Sequence, residues 1–170
     1  MNWIISVFVG LAIIAQARGD ENTPPFSVHL SPNKSHITVG DEPESFFVIL
    51  RNISTDDQKV FEQWNSWGYR NISFEISKGK RRHNLVLKPQ SFTRNFPSVY
   101  LVPPGENMVL RFTLDSDWEN LPEFPNGETE VFIKVIYKCT ASDESEKQGV
   151  WTGEIRSGEY KQKLWSYRKQ

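Results

Sequence analysis

An all-β sandwich is the fold class this sequence predicts, and three observations predict it. First, Met108, Leu110, Phe112 and Leu114 alternate with Asn107, Arg111, Thr113 and Asp115 behind a Pro103-Pro104-Gly105 turn. That period of two belongs to a strand with one face on a core and one toward water. Second, several other segments repeat the alternation, with turn signals roughly every 8–20 residues. Third, no stretch carries a helical period. Together they predict one antiparallel sandwich of about eight or nine strands.

Taken in order, 18–25 is a polar lead-in ending in Pro24-Pro25, and Phe26-Ser-Val-His-Leu30 is a first strand. After a turn at 31–34, His36 to Val39 continues it. Ser45 to Arg51 is apolar on both parities, which predicts a central strand covered on two sides. Asn52 to Arg70 reads as the long irregular stretch. Asn71 to Ser77 alternates, with Ile72, Phe74 and Ile76 inward. Lys78 to His83 is a hairpin tip, and Asn84 to Lys88 returns from it. Phe96 to Val102 and Met108 to Leu114 flank the Pro-Pro-Gly turn. After a loop with Asn126-Gly127 as turn signal, Glu130 to Tyr137 is a second central strand. Ala141 to Gln148 reads as a charged loop and Val150 to Arg156 as the last clear strand. The sandwich is therefore expected over 26–158, with 159–170 a basic aromatic tail or a closing strand.

Met1 to Ala17 falls outside that domain. Trp3 to Ala15 is apolar and uncharged, and Ala15-Gln16-Ala17 is a small-x-small cleavage site. The reading is a secretory signal peptide, because the run is shorter than the about 20 residues a membrane-spanning helix takes. The chain is expected to be secreted: extracellular, or periplasmic in a bacterium, with no membrane span. A net charge of −1 gives no general attraction to nucleic acid. Cys139 is the only cysteine, so no disulfide can close within the chain. A thiol tucked into the core and an intermolecular disulfide are the two main readings of Cys139, and a reactive or metal-bound thiol is a third.

The strand ending in Arg51-Asn52-Ile53-Ser54, the Leu101-x-x-Pro104-Gly105-Glu106 turn, and Gly127 leading a strand into Tyr137 together resemble secreted immunoglobulin-like sandwiches. The same turn is similar to that of the small bacterial intracellular proteinase inhibitors. The bridging cysteines of antibody domains are lacking, and Phe74 stands where those domains carry a core Trp. The resemblance implies a fold and leaves the partner open.

Candidate sites follow from residue type. Trp64, Trp67 and Tyr69 share one loop at an end of the sandwich, where aromatic faces suit a protein hot spot or a sugar ring. The competing reading is that they fold back to plug the core. Lys78, Lys80, Arg81 and Arg82 make a cationic tip, either solvated or facing an acidic partner. Asn33, Asn52 and Asn71 each open an Asn-x-Ser sequon that would accept a glycan in a eukaryotic secretory pathway. Asn71 lies on the outward parity, whereas Asn52 shares parity with Val48 and Leu50. His29 and His36 could meet across a strand pair, but the ligand supply for a metal is poor, and no metal or other cofactor is implied. Asp115-x-Asp117-x-Glu119 departs from a calcium loop at Asn120 and Asn126. No Gly-x-Ser-x-Gly, His-Glu-x-x-His or phosphate-binding loop occurs. The expected function is a non-catalytic module that binds another protein through the aromatic loop. A carbohydrate-binding module comes second, and an enzyme whose site is not legible comes third.

Overall fold

The computed structural model describes residues 23–32 and 35–167. The signal-peptide reading of 1–17 and the Asn33 sequon lie outside them. Twelve strands occur among the described residues: β1 (Phe26–Ser31), β2 (His36–Gly40), β3 (Phe46–Asn52), β4 (Gln58–Phe61), β5 (Ile72–Lys78), β6 (Arg81–Leu87), β7 (Val99–Val102), β8 (Asn107–Phe112), β9 (Trp118–Glu119), β10 (Gly127–Cys139), β11 (Gly153–Arg156) and β12 (Tyr160–Tyr167). The fold is the predicted all-β sandwich. Among its extra strands, β4 and β9 are too brief for sequence alternation to mark.

One sheet has the order β1-β3-β8; the larger has β2-β12-β10-β5-β6-β9, with β11 on the second half of β10; β4 and β7 form a separate pair. All pairings between these strands are antiparallel except β2 with β12. The segment 159–170 thus supplies a closing strand, and the domain runs past 158. Hydrophobic burial holds the two sheets face to face. Val131, Ile133, Val135 and Tyr137 of β10 and Ile72, Phe74 and Ile76 of β5 are buried against Phe46, Val48 and Leu50 of β3 and Leu110 and Phe112 of β8. Phe74 is the hub of an aromatic cluster, with ring centroids 5.4 Å from Phe46, 5.6 Å from Phe112 and 5.0 Å from Trp118. Each such pair adds about 0.5–1.5 kcal/mol beyond its area.

The outer face of the large sheet carries ion pairs beside the exposed rings of Phe132 and Trp165. Lys161 meets Glu130 at 3.0 Å, Lys163 meets Glu128 at 2.9 Å, and Lys134 meets Glu159 at 3.1 Å. Exposed pairs add little stability, but they keep this face in water. The outer face of the small sheet differs. Phe47 and Ile49 of β3 are half-buried there, and Val109 of β8 is exposed. The prediction that β3 is covered on two sides is therefore corrected: it is central in its sheet, yet only one of its faces meets the core. Residues 141–148, expected as a loop, contain a helix, α1 (Asp143–Gln148). Ser142 and Ser145 form a capping box, and Gly149 closes the helix at φ 64°. With only six residues it is too short to show a helical period.

Candidate functional site

Asn65 builds the aromatic loop. Its side chain is fully buried, and a buried amide must find partners for all its polar atoms. Its Oδ1 accepts from the Trp67 and Gly68 amides, both at 3.0 Å, and its Nδ2 donates to the Ser98 carbonyl at 3.0 Å. Its own carbonyl accepts from the Tyr69 amide at 2.9 Å. The result is a compact turn pinned to the segment before β7. Asn95 clamps it further, accepting from the Ser66 amide at 3.0 Å and donating to Ser66 Oγ at 2.9 Å. Sequence reading missed Asn65. Its only signal was an Asn-Ser pair between two tryptophans, the composition of an Asx turn.

The loop divides its aromatics between the two roles. Trp67 packs on the core beside Phe61, with centroids 6.3 Å apart. Tyr69 is half-buried and meets Phe92 edge-on at 5.6 Å. Trp64 is 44 % exposed. It stands edge-on to Phe96 at 4.8 Å and donates from Nε1 to Glu62 Oε2 at 2.8 Å. The Ser98 hydroxyl donates to the same carboxylate oxygen. Trp67 is thus a plug, and Trp64 a fixed, exposed aromatic.

Beside Trp64 opens a cleft of about 550 Å³. It lies on the open side of the sandwich, between β8 and the β6–β9 edge. Tyr69, Leu87, Met108, Phe112 and Trp118 give it apolar surface; Glu62, Asp115, Asp117 and Arg111 give it charge. Trp118 is anchored by donating from Nε1 to the Thr113 carbonyl at 2.7 Å. Asp115 accepts from Thr113 Oγ1 at 2.6 Å and from the Asp117 amide at 2.9 Å. Burial, then the negative charge of Asp117, pushes the Tyr69 phenol up; Arg70 opposes this and Asp115 adds to it. Three carboxylates against one guanidinium leave the cleft negative. Tyr100 in the cleft wall and Phe96 against Trp64 are themselves exposed.

The basic tip is elsewhere. β5 starts just after the aromatic loop and ends at Lys78, so at about 3.3 Å per residue the two features lie roughly 20 Å apart. Gly79, at φ 59°, and Lys80 make the two-residue turn. Lys80, Arg81 and Arg82 are all exposed, but Arg82 lies on the other face of the hairpin, 3.7 Å from Glu75. His29 and His36 do not meet: His29 lies on β1 opposite Ile49, and His36 lies on β2 opposite Lys163.

Neither described sequon presents its asparagine to a glycan. Asn52 is fully buried, with Nδ2 donating to the Asp56 carbonyl at 2.7 Å and the Val102 carbonyl at 2.8 Å. The strand has not left the core by this residue. Asn71 begins on the outward parity, but its Nδ2 is buried, as is the Tyr137 hydroxyl, and neither makes a well-aligned hydrogen bond. The Asn71 amide still lies close enough to favour the ionised forms of Tyr137 and Cys139. Burial outweighs it and pushes both groups up. Cys139 is 3 % exposed, and its thiol is held neutral, which disfavours nucleophilic attack and disulfide exchange. Iodoacetamide at mildly alkaline pH should leave the native protein unlabelled and modify one thiol in urea. Native labelling at the rate of a free thiol would show that the cluster opens.

No protein-family model matches this chain, and no curated protein matches it in sequence. Among the described residues, no helix is long and apolar enough to cross a membrane.

Proposed function

We propose that this chain is a secreted, non-catalytic, immunoglobulin-like module that recognises another protein through the Trp64 cleft. The strand order supports the immunoglobulin-like reading. β1-β3-β8 facing β12-β10-β5-β6 has the connectivity of the A-B-E and G-F-C-C′ sheets of such sandwiches. The apolar run and small-x-small site of 1–17 support secretion. The observation that carries the binding reading is Trp64 itself: it is immobilised by Glu62 and Phe96 while nearly half its surface faces solvent. Aromatic side chains fixed before binding lose little entropy on contact, and this is how hot spots are built. The exposed Phe96, packed on Trp64, and Tyr100, in the cleft wall, extend the apolar surface past the size of one sugar ring, which favours a protein over a glycan.

Wild-type protein should capture a partner from native extracellular or periplasmic material and bind the same partner once purified. Trp64→Ala should lose that partner. Its melting temperature should fall by only about 2–4 °C, since it forfeits one aromatic pair. A variant that keeps the partner sinks the proposal. So does a wild type that binds only a glycan array, in which case the cleft is a sugar site.

A further inference from the structure

The way β8 ends its sheet says what kind of protein segment the cleft fits. In β1-β3-β8, β8 is an outer strand, and among the described residues nothing pairs with its second edge. The phase of its hydrogen bonds can be read from Asn52, whose amide donates to the Glu106 carbonyl at 3.0 Å. In an antiparallel ladder the bonded pairs recur every second residue. With the register Leu50↔Met108, Val48↔Leu110 and Phe46↔Phe112, those three β8 residues bond to β3. Asn107, Val109 and Arg111 therefore turn their N–H and C=O groups off the sheet. Such a row is a template for another strand.

The chain has material for a covering strand but does not use it. Residues 88–98 run past this side, yet Pro89 and Pro97 lack amide donors, and the segment is irregular. It spends Phe92, Asn95 and Phe96 on the aromatic loop instead. The cleft then runs along the open edge, with Met108, Arg111, Phe112 and Thr113 in its wall.

We propose that the open edge of β8 accepts an extended segment of the partner protein as an added strand, and that a lysine or arginine of that segment enters the cleft toward Asp115, Asp117 and Glu62. The inference rests on the protein-binding reading above and specifies its mode. Main-chain bonds supply affinity in such complexes, and pockets for alternate side chains supply specificity. Here the pocket is negative and flanked by Trp64, Tyr69 and Tyr100, whose faces also attract a cation. A second copy of this chain is a poorer occupant, because edge-to-edge pairing would bring two sets of the same carboxylates together.

The test selects short random peptides displayed on phage against the intact chain. Selected peptides should alternate apolar residues and carry Lys or Arg at one fixed place. Replacing that residue by Glu should weaken binding about tenfold or more, and Asp117→Asn should reduce the discrimination. Amide hydrogen exchange on the wild type reads the edge directly. A bound peptide should protect Asn107, Val109 and Arg111 and leave the already bonded Met108, Leu110 and Phe112 unchanged. Val109→Pro removes only an outward N–H and should cost about tenfold in affinity. Peptides that bind without protecting those three amides, peptides selected for acidic residues, or an edge that instead pairs two copies in sedimentation would each overturn the inference. In the first case, continued loss of the purified partner with Trp64→Ala would leave the protein-binding reading standing without strand addition.

Discussion

Asn52→Ala should lower the melting temperature by roughly 8–16 °C, the scale of about 4 kcal/mol in a domain of this size. The side chain uses both ends. Oδ1 accepts from the Ser54 amide at 2.9 Å and the Ser54 hydroxyl at 2.7 Å, and Nδ2 reaches the Asp56 and Val102 carbonyls. Its backbone holds the other side of the joint, accepting from the Gly105 amide at 2.9 Å while donating to Glu106. Gly105, at φ 76°, and Glu106 thus oppose one residue, a bulge with glycine in the left-handed position. Asn52 therefore ties the β3–β8 ladder to the β4–β7 pair. Alanine leaves the buried Val102 carbonyl and the half-buried Ser54 amide without this partner, together at a cost of a few kcal/mol, since each such group costs about 1–3 kcal/mol. Asn52→Asp should be similarly damaging at neutral pH, where a carboxylate has no proton for either carbonyl. Its deficit should shrink on acidification, because the neutral acid regains a donor. Urea unfolding across pH measures both. An alanine variant within about 1 kcal/mol of wild type would mean that water or the loop replaces the amide.

Much of the fold was legible because strands with one buried face write it as alternation. Ile72, Phe74 and Ile76, and Val131, Ile133 and Val135, read inward in sequence and are buried. β12 was harder to read: among 160–166 only Leu164 and Ser166 are buried, and the outward parity carries Lys161, Lys163 and Trp165. Parity also failed at Asn71, because the rule describes residues within a strand and Asn71 stands one residue before β5. The aromatic loop was legible as a concentration of rings. Which ring would stay exposed was not, because that depends on Asn65, Ser98 and Asn95 meeting from segments about thirty residues apart. The carboxylates Asp115 and Asp117 were noticed in sequence as a failed calcium loop. Their place in the cleft comes only from the packing of β8 against the β6–β9 edge.

Gly68→Ala should destabilise the protein by about 3 kcal/mol or more and remove the cleft with it. The reason is steric. A Cβ built on Gly68 would lie 2.2 Å from the Glu62 carbonyl oxygen, 2.7 Å from its carbon and 2.8 Å from the Phe61 carbonyl oxygen. These are backbone atoms at the end of β4, so no rotamer change relieves the overlap. The loop must lift away from the strand. That movement strains the Glu62 amide bond to the Ser98 carbonyl, 3.1 Å in the native fold, and the Asn65 contacts that fix Trp67 and Tyr69. It also moves the base from which Trp64 reaches Phe96. Hydrogen exchange should show the Trp67, Gly68 and Tyr69 amides losing protection even where the β10 amides keep theirs. The contrast with Trp64→Ala is the informative part. That variant should lose binding from a nearly unchanged fold, whereas Gly68→Ala should lose binding because the loop has moved. If Gly68→Ala kept both wild-type stability and protection of the three amides, the loop would be free to rearrange, and Trp64 would not be the fixed anchor that the binding proposal needs.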